Sequence, residues 1–128
     1  MKLLLDTHAF LWWIRDDQSL SAKARKAIAN ERNHCFLSVA SCWEMAIKKS
    51  LDNLEIPEPI DAFIAEQLAL NSISLLPIDL RHVARVSRLA FHHRDPFDRL
   101  LVAQAIDEGM TIASADPMLE KYGIERLW

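Results

Sequence analysis

Short apolar runs alternate with longer segments of helical periodicity along the whole of this chain. Five such runs are bounded by polar or turn residues: residues 2–6, 34–38, 72–78, 110–114 and, as a short edge strand, 124–127. Apolar runs of this kind are typical of strands buried on both faces in a parallel sheet. Alternation of strands and helices therefore predicts a three-layer α/β/α sandwich with a mostly parallel central sheet of four to five strands.

Capping residues and turn signals predict where the helices lie between these strands. Ser19 is expected to begin a helix that runs to Asn30, and Ser38 or Ser41 to begin the helix that carries Glu44. The remaining predicted helices cover residues 7–15 and 60–70, a basic segment capped by Asp79, a segment from Asp95-Pro96 to Gly109, and a single turn after Asp116.

Composition restricts the class of protein. A chain of 128 residues that is 51% hydrophobic, with only 2 Gly and 5 Pro, is expected to form one ordered domain over residues 1–128. Cys35 and Cys42 are expected to be buried thiols without a disulfide framework, which favours a reducing compartment. The N-terminal leucines are too few for a signal peptide, and no stretch reaches the roughly 20 apolar residues of a membrane span. We therefore expect a cytoplasmic protein.

Four carboxylates lie at comparable positions relative to the predicted strands and helices. Asp6 ends the first strand, Asp116 closely follows the fourth, Glu44 lies about one helical turn beyond the second, and Asp98 begins an apolar helix. The carboxyl ends of parallel strands open into one crevice, where α/β sheets usually bind ligands. Because acids gathered there repel one another unless a cation lies among them, the pattern predicts a divalent-metal site.

Each acid also has a purely structural alternative. Asp6 and Asp116 could cap the short helices that follow them, and a lone Glu44 on a helix usually faces solvent. Asp95 and Asp98 have the spacing of a capping box, so one of them should serve the helix. We assign the cap to Asp95 and the ligand role to Asp98, whose ionised form the helix dipole also favours.

The basic residues form a second pattern, although the net charge is −3. Arg81, Arg85 and Arg88 recur at helical spacing, and Arg94 and Arg99 follow nearby. This stripe is either a solvated helix face or a track for a phosphate backbone beside the acidic crevice. Arg99, adjacent to Asp98, is the best single candidate for a contact with that backbone, although it could instead face solvent.

The chain resembles the PIN-domain ribonucleases, and most closely the VapC-type toxins of prokaryotic toxin–antitoxin pairs. The matching stretches are LLLDTH at residues 3–8, LSVASCWE at 37–44, HRDPFDRLLVAQA at 93–105 and SAD at 114–116, so they extend over the whole domain. The resemblance implies that Asp6, Glu44, Asp98 and Asp116 bind Mg2+ or Mn2+, and that Ser114 helps to position the metal or its water. Thr7 follows Asp6 as a supporting hydroxyl, and the role of Asp95 stays open.

The residue types agree with that chemistry. Hard carboxylate oxygens suit Mg2+ or Mn2+, and no Cys/His set has zinc spacing. A divalent ion can lower the pKa of a water molecule and offset charge on phosphate oxygens, so hydrolysis of RNA would leave a 5′-phosphate and a 3′-hydroxyl. No histidine is expected to act as a general base, and His8 is assigned to packing or substrate contact.

Two other classes of protein compete with an endoribonuclease. A phosphotransfer protein could use a similar sheet, but a phosphatase of the haloacid-dehalogenase type would need a second Asp where this chain has His8. A binding module could keep the fold without the activity, and the acids at all four positions argue against it.

Partners follow from the resemblance. It implies an RNA substrate, a cognate antitoxin protein whose C-terminal segment lies in an apolar groove near the acids, and a two-fold homodimer. The candidates for the groove are the aromatic residues Phe10, Trp12, Trp13 and Trp43, with core packing as the alternative.

Overall fold

Five strands form one parallel sheet in this computed structural model, which describes residues 1–128. The strands are β1 (Lys2–Leu5), β2 (His34–Ser38), β3 (Ser74–Leu76), β4 (Thr111–Ala113) and β5 (Arg126–Leu127). Their order across the sheet is β3-β2-β1-β4-β5, and every neighbouring pair is parallel. The predicted parallel sheet is confirmed, and its third strand is shorter than the apolar run at 72–78.

Six α-helices and one 3-10 helix connect the strands. They are α1 (Thr7–Ile14), α2 (Ala22–Ala29), α3 (Val39–Ser50), α4 (Ile60–Leu70), α5 (Leu80–Val86), α6 (Pro96–Glu108) and the 3-10 helix Pro117–Tyr122. None of these helices combines the length and the apolar character needed to cross a membrane.

The sheet is covered on both faces, as the sequence predicts for a three-layer sandwich. Side chains alternate along β1, so Leu3 and Leu5 pack with α1, α2 and α4 while Leu4 packs on the other face. That second face is filled by α6, where Leu101 and Val102 are buried. Both faces of β1 are therefore core, which explains the unbroken run of leucines before Asp6.

Two helix boundaries differ from the sequence predictions. Ser21, rather than Ser19, caps α2, because its hydroxyl accepts a hydrogen bond from the Ala24 amide at 3.0 Å while the Ser19 amide is held by Asp17. The basic helix α5 ends at Val86, so Arg88 does not continue its face. The predicted basic stripe is therefore interrupted by the irregular segment 87–95.

The strand order places a topological switch point between β1 and β4. From β1 the chain proceeds to β2 and β3 on one side, and the later strands β4 and β5 add on the other side. Connections that diverge in this way leave a crevice at the carboxyl ends of the two central strands. Asp6 follows β1, and Ser114 and Asp116 follow β4. The fold thus brings residues more than 100 positions apart in sequence to one edge of the sheet.

Candidate metal centre

A cleft of about 240 Å³ opens at this switch point and contains all four predicted acids. Its lining is mostly polar, with five acidic residues, and Lys48 is its one lysine. The residues that line it are Asp6, Thr7, His8, Trp12, Glu44, Lys48, Asp95, Asp98, Ser114, Ala115 and Asp116. A larger cleft of about 560 Å³, at the amino edge of the sheet around His34 and Asn71, contains no comparable cluster of acids.

Asp6 caps a helix and also lies in the acidic cleft, two positions that were alternatives from sequence alone. Its Oδ1 accepts a hydrogen bond from the Ala9 amide at 2.8 Å at the start of α1, and its side chain is buried within the cleft. Burial raises the pKa of Asp6 above its usual range, opposed by hydrogen bonds from the Ser114 hydroxyl and the Ala9 amide. The nearby Glu44 raises that pKa further, because two carboxylates repel each other.

Glu44 faces the cleft rather than open solvent. The Thr7 hydroxyl donates to Glu44 Oε1 at 2.6 Å, and the Lys48 ammonium lies 3.1 Å from Oε2. Lys48 is one turn along α3 from Glu44, so the same helix supplies the carboxylate and its counter-charge. Thr7, predicted as a supporting hydroxyl beside Asp6, is thus hydrogen-bonded to Glu44 and orients it.

Asp95 takes the capping role that was predicted for it. Asp95 is the N-cap of α6, and its Oδ1 accepts hydrogen bonds from the amides of Phe97 at 2.8 Å and Asp98 at 3.1 Å. The Asp98 carboxylate is left to project into the cleft. Burial is the first cause that raises the pKa of Asp98 to about 7, followed by the charge of Asp95, with Asp6 and Glu44 adding to it. These effects outweigh the helix dipole, which alone would favour an ionised Asp98.

Asp116 caps the 3-10 helix through Oδ1, which accepts from the Met118 amide at 3.0 Å. The Ser114 hydroxyl accepts from the Asp116 amide at 3.1 Å and hydrogen-bonds to Asp6. Ser114 is fully buried, and its two hydrogen bonds connect the acid that follows β1 with the acid that follows β4.

His93 belongs to the cleft, and sequence reasoning assigned it no role there. Its Nε2 lies 2.7 Å from Asp116 Oδ2 and 3.2 Å from Asp98 Oδ2. With the structure known, one feature of the sequence can be seen to indicate this position of His93. His93 lies two residues before the cap Asp95, just as Ser114 lies two residues before the cap Asp116, and each accepts a hydrogen bond from the amide of its cap.

The predicted RNA-contacting role of Arg99 is wrong for this fold. Arg99 is 5% exposed and contacts the face of the Phe91 ring at 4.1 Å. Its guanidinium nitrogens donate to the backbone carbonyls of Val86, Leu89, Ala90 and His93 and to the Tyr122 hydroxyl. This side chain organises the segment 87–95 and has no free face for phosphate.

Arg81 and Arg85 lie at the other end of α6 from the acids. Arg81 pairs with Glu108 at 2.7 Å, and Arg85 pairs with Asp107. Because Asp98 and Glu108 are ten positions apart on α6, that end of the helix is roughly 15 Å from the cleft. Arg88 and Arg94 are exposed and form no salt bridge, so they are the members of the predicted stripe that are free to meet a phosphate.

A second histidine–carboxylate group, formed by Asp79, His82 and Glu108, has a structural explanation. The buried His82 accepts from the Asp79 amide through Nδ1 and closes the capping box at the start of α5. Its Nε2 lies 3.0 Å from Glu108, which ties α5 to α6.

The predicted aromatic groove is not one surface. Phe10 is fully buried in the core, and the Trp13 indole donates to Asn71 on the side of the molecule that carries the larger cleft. Trp12 lines the acidic cleft, while Trp43 is 59% exposed and meets Phe97 edge-on. Only Trp12 and Trp43 therefore lie close to the acids.

The donor set fits a hard divalent cation. Carboxylate and hydroxyl oxygens from four separate segments converge here, and the charges of neighbouring acids add to burial in raising the pKa of Asp98. Mg2+ and Mn2+ prefer such oxygen ligands, and binding of either would remove the repulsion.

This crowding predicts how the stability of the metal-free protein depends on pH. An acid whose pKa is higher in the folded than in the unfolded state binds its proton more tightly when the protein is folded. Its contribution to the free energy of unfolding is therefore fully present below the unfolded pKa of about 3.9. That contribution is lost as pH rises through the folded pKa. With Asp6 raised and Asp98 at about 7, unfolding in urea with EDTA should require less denaturant at pH 7.5 than at pH 5. Saturating Mg2+ should reverse this trend, because the metal binds the ionised acids. A metal-free stability that does not fall over this range would contradict the crowded site.

The fold is α/β, and a cluster of acidic side chains lies at the carboxyl edge of its parallel sheet. A family model described as "PIN domain" matches residues 3–125. The chain belongs to the PIN domain family.

Curated relatives and solved structures agree with this assignment. The chain is 28% identical over 123 residues to Ribonuclease VapC22 of Mycobacterium tuberculosis, covering 94% of this chain and 91% of the relative. Ribonuclease VapC16 of the same organism is 34% identical over 62 residues, which are 48% of this chain and 44% of the relative. A chain in the crystal structure of VapBC2 from Rickettsia felis, bound to a DNA fragment from its promoter, matches with a TM-score of 0.70 at 13% identity. The match covers 100% of both chains. A chain of FitAB bound to an IR36 DNA fragment matches with a TM-score of 0.65 at 16% identity, over 97% of this chain and 92% of that one.

Proposed function

We propose that this protein is a metal-dependent endoribonuclease toxin that hydrolyses RNA phosphodiester bonds and is neutralised by a cognate antitoxin. The observation that carries the proposal is the convergence of Asp6, Glu44, Asp98 and Asp116 in one cleft at the switch point of a PIN fold. The ribonuclease names of the two Mycobacterium tuberculosis relatives support the reaction class.

The four acids would hold Mg2+ or Mn2+, with Glu44 oriented by Thr7 and Lys48. When bound, the ion supplies charge compensation at the phosphate and lowers the pKa of an attacking water. Ser114 keeps Asp6 and Asp116 in a fixed relation through its two hydrogen bonds. The Lys48 ammonium, close to Glu44 in the cleft, can meet a phosphate oxygen beside the scissile bond.

The RNA backbone would reach the cleft over exposed basic residues. Arg94 is next to the cap Asp95, and Arg88 lies in the same segment between α5 and α6. Both are exposed and unpaired, so they can neutralise phosphates without breaking an existing salt bridge. Arg81 and Arg85 are not among the proposed RNA contacts, because they form salt bridges at the far end of α6 from the cleft.

The partner proteins follow from the same relatives. The matched structures contain the toxin–antitoxin pairs VapBC2 and FitAB, which supports an antitoxin as the partner of this chain. An antitoxin segment that offers one basic side chain would complement the acidic cleft, with Trp12 and Trp43 as apolar contacts nearby. A two-fold homodimer is part of the proposal.

RNA ends sequenced after a brief pulse of expression test this function. Expression should cut defined RNAs into upstream fragments that end in a 3′-hydroxyl and downstream fragments that begin with a 5′-phosphate, because water rather than a 2′-hydroxyl is the nucleophile. The matched control is Asp6→Asn, which keeps the side-chain oxygen that caps α1 but removes the charge. Identical new ends from the Asp6→Asn protein, or 2′,3′-cyclic phosphates from the wild type, would reject the proposal.

A further inference from the structure

His93 lies between two of the proposed metal ligands and carries no charge-bearing oxygen of its own. Its Nε2 is within hydrogen-bond distance of Asp116 Oδ2 at 2.7 Å, and Asp98 Oδ2 follows at 3.2 Å. The ring is largely enclosed, with 18% of the side chain exposed. Such a histidine can either ligate the metal directly or donate a hydrogen bond to the residues that do.

The other ring nitrogen decides between these roles. His93 Nδ1 lies 3.1 Å from the backbone amide of Asp95, and that amide can only donate. Nδ1 must therefore be the nitrogen with the lone pair, and a neutral imidazole then has its hydrogen on Nε2. Nε2 donates to Asp116, with Asp98 close beside it, and it has no lone pair for a metal while the Asp95 contact is kept.

The backbone around His93 is fixed from two further directions. Its amide donates to the Tyr122 hydroxyl at 2.9 Å, and its carbonyl accepts from the buried Arg99 at 3.4 Å. The imidazole thus projects from an anchored backbone, and its position relative to Asp98 and Asp116 is set by the fold.

We propose that His93 is a positioning residue, whose Nε2–H holds the Asp116 carboxylate, beside that of Asp98, in the orientation that receives the divalent ion. The inference rests on the proposed metal-dependent function and deepens it by assigning a residue outside the four acids. The donor also reduces the repulsion between the two carboxylates before the ion arrives. Asp95 gains a role in the same arrangement: its side chain caps α6 below Asp98, while its amide selects the tautomer of His93.

The test compares three substitutions at His93 by calorimetric titration with Mn2+ and by competition of Mg2+ against Mn2+. His93→Asn retains an acceptor at about the position of Nδ1 but lacks a donor that reaches the acids. His93→Gln retains an amide donor at about the distance of Nε2, and His93→Ala retains neither. His92→Ala is the matched control, since the exposed His92 ring only meets Tyr122 edge-on.

We expect the His93→Asn and His93→Ala substitutions to lower the affinity for Mn2+ and for Mg2+ to the same extent, by about 10–100-fold. A loss of this size is typical when a group that orients a metal ligand is removed. Gln should recover most of the affinity, and His92→Ala should match the wild type. Thermal unfolding in EDTA checks that each variant is folded.

Three results would overturn the inference. Wild-type or tighter affinity in a folded His93→Asn protein would show that no donor is needed. A loss much greater for Mn2+ than for Mg2+ would show an imidazole ligand, since nitrogen donors favour the softer ion. Absence of binding by the wild-type protein would instead reject the proposed metal centre itself, and the positioning role with it.

Discussion

Asp98→Asn should abolish RNA cleavage while making the metal-free protein more stable. The acid is needed to hold the ion, but its charge is unfavourable in the folded apo protein, where burial and Asp95 raise its pKa to about 7. A rise from 3.8 to that value would correspond to about 4 kcal/mol if it were fully realised. The side chain is 28% exposed, so solvent screening should reduce the gain in the free energy of unfolding to about 1–2 kcal/mol at pH 8.

Two measurements check this result. Urea unfolding in EDTA at pH 8 gives the stability of the apo proteins, and repetition in saturating Mn2+ gives the increment from the ion. The wild type should gain stability from Mn2+ by mass action, and Asp98→Asn should gain little. Asp61→Asn is the matched control: it removes an exposed acid from α4, and should change stability by less than about 0.5 kcal/mol and leave cleavage intact. Full cleavage by Asp98→Asn purified free of wild-type protein would contradict the assignment.

The acids could be located from sequence because their positions depend on local signals. Asp6, Asp95 and Asp116 are all helix caps, and caps are recognised from the residues that follow them. Strand alternation then places the ends of β1 and β4 at one edge. Capping and metal binding look like alternatives in the sequence. In the structure, Asp6 and Asp116 each use one oxygen for the cap while their carboxylates still face the cleft.

The segment 87–95 could not be predicted in the same way. Its course depends on Arg99 and Tyr122, which contact it from α6 and from the 3-10 helix. The helical spacing of the arginines predicted a helix that continues through Arg88, because no local residue pattern indicates that α5 ends at Val86. His93 was missed for the same reason: its place in the site follows from long-range hydrogen bonds, and periodicity does not encode these.

Arg99→Leu should be the most destabilising single substitution considered for this protein, although Arg99 is adjacent to a proposed metal ligand. The change keeps apolar volume but removes a buried guanidinium that satisfies the carbonyls of Val86, Leu89 and Ala90. Hydrogen bonds to a charged group contribute about 1.5–3 kcal/mol each, and relaxation of the loop toward water returns part of this. We expect a loss of about 3–5 kcal/mol, which corresponds to a fall in Tm of roughly 10–20 °C.

Arg94→Ala is the matched control that separates folding from RNA binding. Arg94 is exposed and forms no salt bridge, so its loss should leave Tm unchanged and lower the slope of log affinity for single-stranded RNA against log salt by roughly 0.7. Affinity is measured with Ca2+ in place of Mg2+ to suppress cleavage, at a temperature where each variant is folded. Arg99→Leu should show the opposite behaviour, with a lowered Tm and an unchanged salt slope. A wild-type Tm together with a reduced slope in Arg99→Leu would mean that the guanidinium contacts RNA and that the segment 87–95 is held together in another way.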